Sequence, residues 1–362
     1  MSRRPAVAPL LDAAALPLPI APALPESAKS QPRMATTPLA VFDELWAAFS
    51  YHCAFLHLRS ATRDWHSDEF RSGWRSRAAA LPQTEAAATG PELLALLGEV
   101  VELFSEDSAA GIKPDIHCFL LLDEENRGDE EAARNDPPEF VAFHKGPRAR
   151  WMEHAAALAH ADAVRQDGQF KFGMAAKDVG YIQLNSMGGF THAAAPSGGY
   201  AGEYAQLAAV EACMQEAILH FKSQGARGVI IDVRFNSGGD DHIGMVVASH
   251  FFAQSALGFS KRSRLPMAPY AGPAAELQWT DYSIGSSCGG GGGGLHPEPT
   301  TLDCAVAVLS SGYTLSAAEV LTLMMQAHPA CTFVGASTCG CYSDILECRL
   351  ANGWTVGLSN QV

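Results

Sequence analysis

Three separated stretches hold the residues that could do chemistry together. In "GYTLSAAEVLTLMMQ" (312–326), Ser316 stands between a polar turn and an apolar run. Ser316 with Glu319 three residues later is the signature of a helix capping box. A serine at a strand-to-helix turn is also where hydrolases hold an attacking hydroxyl. The two readings are compatible. A hydroxyl placed there lies beside the N–H groups of a helix N-terminus, which favour negative charge. The N–H of Ala317 can donate to an oxyanion formed at that point. Ala317 and Ala318 are small, so a second stretch of backbone has room to approach.

The second stretch is "GVIIDVRFNSGGD" (228–240), whose apolar run ends in Asn236-Ser237-Gly238-Gly239. Tandem glycines reach positive φ and expose backbone N–H groups that can hold an oxyanion. Taken alone, the same residues read more readily as an ordinary tight turn. The third stretch is "KPDIHCFLLLD" (113–123), with His117 at the start of a predicted strand. A serine hydroxyl needs a neighbouring base to become nucleophilic. A lone histidine in such a place is usually structural, and becomes a base only if the fold carries it to Ser316. His242, directly after the glycine turn, is the second candidate base.

Other patterns are less productive. Asp240, Asp241 and His242 are consecutive and cannot converge on one ion from a helix. They read as a helix start with acids at its positive end. Cys339 and Cys341 lack a second C-x-x-C for zinc and read as buried or reactive thiols. No H-E-x-x-H, G-x-x-x-x-G-K-[ST] or G-x-S-x-G occurs, which disfavours zincins, P-loop enzymes and the usual α/β-hydrolases. The expectation is a site with no metal and no cofactor.

The elements that must position these residues follow from periodicity. "LAVFDELWAAFSYHCAFLHL" places Phe42, Leu45, Trp46, Phe49 and Phe55 near a 3.6-residue period. "DWHSDEFRSGWRSRAAAL" and "GPELLALLGEVVELF" read as two more helices, the latter with Pro91 in its first turn. Residues 41–110 therefore read as a helical bundle and 111–362 as a core. "IHCFLLLD" reads as a strand, an acidic loop follows, and short strands are plausible at "EFVAFH" and "FKFGM". From 179 onward, strands at "VGYIQLNS", "GVIIDVRF", "DCAVAVLSS", "CTFVGAS" and "WTVGLSN" alternate with helices at 200–223, "HIGMVVASHFFA" and 316–327. Near-continuous apolar strands joined through helices predict a largely parallel sheet covered on both faces.

Bulk properties bound the function. The net charge is −14 over 362 residues, with no basic block, so nucleic acid and anionic membranes are disfavoured as partners. No apolar run reaches the ~18 residues of a membrane span. Nine scattered cysteines, an odd number, favour a reducing compartment such as the cytoplasm. The leader, residues 1–40, begins with Arg3 and Arg4, but Asp12 and several prolines break its apolar stretch. It reads as a disordered Ala/Pro segment, with an organelle transit peptide as the alternative. Six glycines at 289–294 form a low-complexity loop.

Jointly, "GYIQLNS", "VIIDVRFNSGG", "YTLSAAE" and "FVGASTCG" resemble the tail-specific (C-terminal processing) proteases, peptidase family S41, from about residue 179 to the end. The resemblance implies a crotonase/ClpP-like mixed α/β core with an N-terminal helical bundle, and a serine peptidase acting on peptide or protein substrates. It places Ser316 on the nucleophile, and Ala317 with Gly238 or Gly239 on the oxyanion hole. The lysine position of the family's Ser–Lys branch holds Cys341 here. That leaves His117 as base, as in the Ser–His branch of tricorn-like and retinoid-binding relatives. Residues 124–178 are too few and too acidic for the family's PDZ domain. The acidic residue that tricorn-like relatives take from beyond the strand at 354–358 has no counterpart before Val362. The resemblance therefore implies either a lost third catalytic member or a truncated sequence, and either would weaken activity without changing the fold. Two other functions fit the same scaffold: a binding protein for a hydrophobic ligand or peptide, and a crotonase-like acyl-CoA enzyme that needs no serine nucleophile.

Overall fold

The computed structural model describes residues 36–54, 68–105, 115–122, 165–166, 169–190, 200–263, 278–285 and 300–361. Most of the leader, the acidic loop, the strand expected at "EFVAFH" and the glycine loop lie outside these residues.

Three helices open the described chain, as periodicity predicts. Helix α1 (Pro38–His52) starts at Thr37, whose side chain accepts from Ala40 N at 3.3 Å. Its buried face carries Val41, Phe42, Leu45, Trp46 and Phe49. Helix α2 (Asp68–Ala80) is tied to α1 by Arg75, which forks onto the Asp43 carboxylate with bonds of 2.9 Å. Helix α3 (Pro91–Ser105) turns Leu93, Leu97, Val100 and Phe104 inward. The Phe104 ring stacks on Phe49 at 4.2 Å between centroids, a contact that locks α3 to α1.

These helices pack on strands from both ends of the chain. Strand β1 (Phe119–Leu121) pairs antiparallel with β11 (Thr355–Ser359), which pairs antiparallel with β10 (Ile345–Arg349). Cys118, Leu120, Leu350, Trp354, Val356 and Leu358 share one apolar core with the helices. The sequence did not suggest this small sheet, because its pairing depends on residues far apart in the chain.

The main sheet has six strands in the order β2 (Arg165–Gln166), β3 (Phe170–Ala176), β4 (Val179–Leu184), β5 (Gly228–Asp232), β8 (Ala305–Ser310) and β9 (Cys331–Gly335). The first three strands are antiparallel, and β4, β5, β8 and β9 are parallel to one another. Helices α4 (Tyr200–Ser223), α5 (Asp241–Ser249) and α6 (Ala317–Met325) connect the parallel strands. Ile182, Ile231 and Val308 from the sheet are buried with Phe221, Val247 and Leu321 from the helices in a second core. The fold is thus the expected mixed α/β type. A hairpin of β6 (Ala256–Ser263) and β7 (Gln278–Ile284), not anticipated from the sequence, stands apart as a two-stranded sheet. Among the described residues nothing forms a PDZ domain, and no helix is long and apolar enough to cross a membrane.

Parallel register is what positions the site. Asp232 at the end of β5 pairs with Leu309 near the end of β8. The turns that follow, one carrying Gly238 and Gly239 and the other Ser316, therefore leave the sheet side by side at its carboxyl edge. That edge is where ligands enter parallel α/β sheets.

Candidate active site

Ser316 is the residue immediately before α6, and its backbone lies at φ 51°, ψ −126°. Among the described residues it is the only non-glycine with positive φ. Holding an L-residue there costs on the order of 1–3 kcal/mol, so the surrounding bonds must impose it. They are identifiable. The Glu319 carboxylate accepts the Ser316 N–H at 2.9 Å, and the Glu319 N–H goes to the Ser316 carbonyl at 2.8 Å. Leu315 N donates to Asn236 O at 3.0 Å, and the buried Thr314 hydroxyl donates to Val233 O at 2.8 Å. The turn is therefore laced to both the helix it begins and the neighbouring β5 loop. Ser316 itself is half-buried, so the turn remains reachable from solvent.

The glycine turn lies directly against it. A Cβ on Gly238 would come within 2.6 Å of the Ser316 Cβ and 3.1 Å of Ala317 N, and its φ is +96°. Only glycine meets both conditions. The two glycines differ in what their N–H groups do. Gly238 N donates to Asn236 Oδ1 at 2.9 Å, forming an Asx-type turn. Neither Gly239 N nor Ala317 N donates to an acceptor among the described residues. Asn236 is fully buried, and its Nδ2 donates to Leu184 O at 3.1 Å, which pins the turn to β4.

Behind the turn, Asp232 and its neighbours form a rigid buttress. The buried Asp232 carboxylate takes both arms of the Arg234 guanidinium at 2.9 and 2.7 Å and the Tyr181 hydroxyl at 2.6 Å. Burial, then the Asp232 charge, pushes the Tyr181 phenol far above its usual range, so it stays a neutral donor.

His117 is buried and occupies a turn ahead of β1 rather than the strand itself. Asp115 causes this: its Oδ1 accepts His117 N at 3.0 Å and its carbonyl accepts Cys118 N at 3.0 Å. Because β1 runs antiparallel to β11, the His117 end of β1 adjoins Ser359, which pairs with Ile345 at the start of β10. The segment before Ile345 contains Cys341, whose N–H donates to Glu319 at 2.8 Å. The Cys341 thiol is driven up by its hydrogen bond to Cys339, by burial, and by the charges of Cys339, Glu319 and Asp115. Asp115 and Glu319 thus act on one thiol.

The other polar groups form a second cluster beside the glycine turn. His242 Nδ1 lies 2.9 Å from Asp240 Oδ1, and this bond, against partial burial, raises the imidazole pKa. The Lys261 ammonium bridges Asp241 and Asp344. Burial opposes its charge, but the two carboxylates outweigh burial and hold it above the usual lysine range. A lysine held charged in this way cannot serve as a neutral amine base. Among the described residues no three His, Cys, Asp or Glu side chains form a metal-binding group.

Ser316, Ala317 and Gly238 are therefore in direct contact, with Gly239 next in the chain, while His117 lies on the turn ahead of β1, held by Asp115. Sequence reasoning saw Glu319 only as a cap. Its oxygens also accept Gly340 N at 2.6 Å and Cys341 N, a role that a residue pattern at helix spacing cannot reveal. The part played by Asn236 was readable in outline, since Asn before Gly favours side-chain-closed turns.

A strained serine at a helix mouth, faced by a glycine turn at the carboxyl edge of a parallel sheet, is an arrangement in which hydrolases hold an attacking hydroxyl. The family model described as "Peptidase family S41" matches residues 178–362, and the chain belongs to that family. No curated protein sequence matches the chain. Among solved structures, a protein described as a candidate peptidase from Parabacteroides merdae is 19% identical with a TM-score of 0.57, covering 90% of this chain and 83% of the other. A lipoprotein from Streptococcus agalactiae is 12% identical with a TM-score of 0.50, covering 92% and 87%. The photosystem II D1 C-terminal processing protease is 13% identical with a TM-score of 0.48, covering 90% and 89%.

Proposed function

We propose that the protein is a serine peptidase that cleaves peptide bonds by acyl transfer through Ser316. The observation that carries this reading is the backbone of Ser316, at φ 51°, held against Gly238 at the mouth of α6. In this reading Ser316 Oγ attacks the carbonyl carbon of a bound peptide. His117 accepts the hydroxyl proton and later delivers it to the departing amine. The tetrahedral oxyanion is held by Ala317 N–H and by Gly239 N–H, since Gly238 N–H is engaged by Asn236. Water then attacks the acyl-enzyme, with the same imidazole accepting its proton. No step in this sequence calls for a metal or an organic cofactor.

A fluorophosphonate probe tests the reading, because it reacts only with an activated serine. Labelling of the wild-type chain should be lost in Ser316→Ala. In His117→Ala it should slow by about 10²–10⁴-fold, the usual contribution of a general base. His242→Ala should label within a few-fold of wild type. A folded wild-type chain that takes no label would instead be a binding protein on the peptidase scaffold. A deficit confined to His242→Ala would move the base to His242.

A further inference from the structure

Cys339 and Cys341 occupy the turn that follows β9, and their sulfurs are 3.3 Å apart. Gly340 between them takes φ +97°, which folds the turn tightly enough to face the two side chains together. Cys339 is half-buried and Gly340 exposed, whereas Cys341 is buried. The pair thus has one thiol that a solvent-borne reagent can meet and one behind it. The peptidase mechanism uses neither sulfur.

The same turn is bonded to the Ser316 turn through its backbone. Cys339 N donates to Thr314 O at 3.1 Å. Gly340 N and Cys341 N donate to the Glu319 carboxylate at 2.6 and 2.8 Å, and that carboxylate also accepts Ser316 N at 2.9 Å. Glu319 is fully buried, so three amides are its solvation. A displacement of Gly340 or Cys341 must be felt at Ser316, because the carboxylate cannot exchange those amides for water.

We infer that Cys339 and Cys341 form a reversible thiol–disulfide switch that acts on the Ser316 turn through Glu319. The oxidant is a small soluble disulfide of the glutathione class. The Cys339 thiolate attacks one sulfur of that disulfide, its S–S bond breaks, and one small thiolate leaves. Cys341, having released its proton, attacks Cys339 Sγ in the mixed disulfide and expels the second small thiol. Two electrons pass from the protein to the reagent, and two reduced small thiols are produced. The resolving step gains from the first one. Consuming the Cys339 thiol removes its ionisable S–H, whose hydrogen bond and charge suppress ionisation of Cys341 in the reduced pair.

Closing the bond changes the geometry of the turn. A disulfide needs about 2.05 Å between sulfurs, against 3.3 Å in the thiol form. The contraction draws Cys341 toward Cys339 and pulls its N–H from Glu319. Weakening a hydrogen bond to a buried charge at the nucleophile turn should slow acylation on the order of tenfold. The effect on activity rests on the peptidase reading of Ser316, but the bond and its local consequence do not.

The test incubates the whole chain across a series of reduced-to-oxidised glutathione ratios. Differential alkylation with mass spectrometry reads the peptide carrying both cysteines, and hydrogen exchange reads the amides of 313–320 and 339–342. The expected result is loss of two hydrogens in that peptide and faster exchange in both segments. Fluorophosphonate labelling of Ser316 should slow on the order of tenfold and recover on reduction. Cys339→Ser should show none of these responses to the ratio. Thiols that stay alkylatable throughout, or stop at a mixed disulfide, would overturn the inference. So would a disulfide that leaves exchange at 313–320 unchanged. A chain that never labels but shows the disulfide and the exchange response would count against the peptidase reading and in favour of the switch.

Discussion

Gly238 and Ser316 are packed so closely that the missing side chain of one makes room for the Cβ of the other. A Cβ added to Gly238 would meet Ser316 Cβ at 2.6 Å and Leu315 O at 2.8 Å, both on a turn that four hydrogen bonds hold in place. Neither neighbour is the far end of a flexible chain. Gly238→Ala should therefore push the two turns apart rather than be absorbed. It should also strain a residue at φ +96°. The expected outcome is destabilisation of about 1–3 kcal/mol with labelling of Ser316 reduced at least ~100-fold, since misplaced catalytic geometry is that costly. Chemical denaturation and probe labelling on one preparation separate the two effects. A variant that labels normally would show that the contact does not set the nucleophile's position.

Ser316 is itself a source of strain, and that predicts a stabilising mutation. Glycine adopts φ 51° without the Cβ penalty that serine carries there. Ser316→Gly should raise stability by about 1 kcal/mol, the strain relieved less the greater chain entropy of glycine. It should also abolish labelling, since the hydroxyl is gone. A gain in stability bought by loss of function is the expected signature of an active-site residue in a strained backbone. Equilibrium unfolding in urea checks the sign. Destabilisation would mean that the Ser316 side chain supports the turn.

The contrast between these residues shows which part of the site was legible beforehand. Ser316, Ala317 and the two glycines stand at strand ends that local pattern marks well, in long apolar runs closed by turn residues. Parallel pairing of β5 with β8 then places them together without further information. The helices α1 and α3 were equally readable, because each buries a stripe at 3.6-residue spacing. The small β1–β11–β10 sheet was not. Its strands carry few residues each, and their pairing joins Phe119 to Gly357, which no local signal reports. The position of His117 depends on that sheet, so the proposed base was the least legible member of the candidate site. The Glu319 cap was legible and is present, but its bonds to Gly340 and Cys341 were not, because a cap is a local feature whereas those bonds need the next strand in place.

That dependence makes the small sheet a route to the site from a distance. Leu358, on β11, is fully buried in the core shared with the N-terminal helices, and Leu346 opposite it packs against the same core. Leu358→Ala should cost about 2–5 kcal/mol, the usual range for a large-to-small change in a closed core. If His117 acts as base, the loss should extend to the reaction, because β11 supports the turn that carries it. The expected result is slower labelling at a temperature where circular dichroism still reports a folded chain. Ile218→Ala in the other core, on α4, provides the comparison for stability alone, a comparable large-to-small change away from the Ser316 helix. Equal labelling rates in wild type and Leu358→Ala at full folding would separate His117 from the chemistry.

The pair of His242 and Asp240 gives a pH dependence of known sign. The hydrogen bond and charge of Asp240 raise the imidazole pKa above its ordinary 6.5, with burial opposing. Asp240 is lowered: burial opposes its charge, and the bonds and charge of His242 with the charge of Lys261 outweigh it. Asp241 and Lys261 also face the imidazole, one raising and the other lowering its pKa. A group whose folded pKa exceeds its unfolded value stabilises most below the unfolded value, and that contribution disappears as pH climbs through the folded one. The wild-type chain should therefore lose stability as pH rises from about 6.5 through the raised pKa of the folded imidazole. His242→Gln, which keeps a polar side chain but cannot titrate, should show a flatter profile over that interval. The difference should be small, because the imidazole is half exposed and solvent screens the pair. Melting temperatures of both chains at matched ionic strength read it. Profiles that stay parallel, or a wild-type chain that gains stability over this range relative to His242→Gln, would mean the imidazole is not held in its charged form by Asp240. In that case a neutral His242 beside the glycine turn would become a serious rival to His117 for the proton of Ser316.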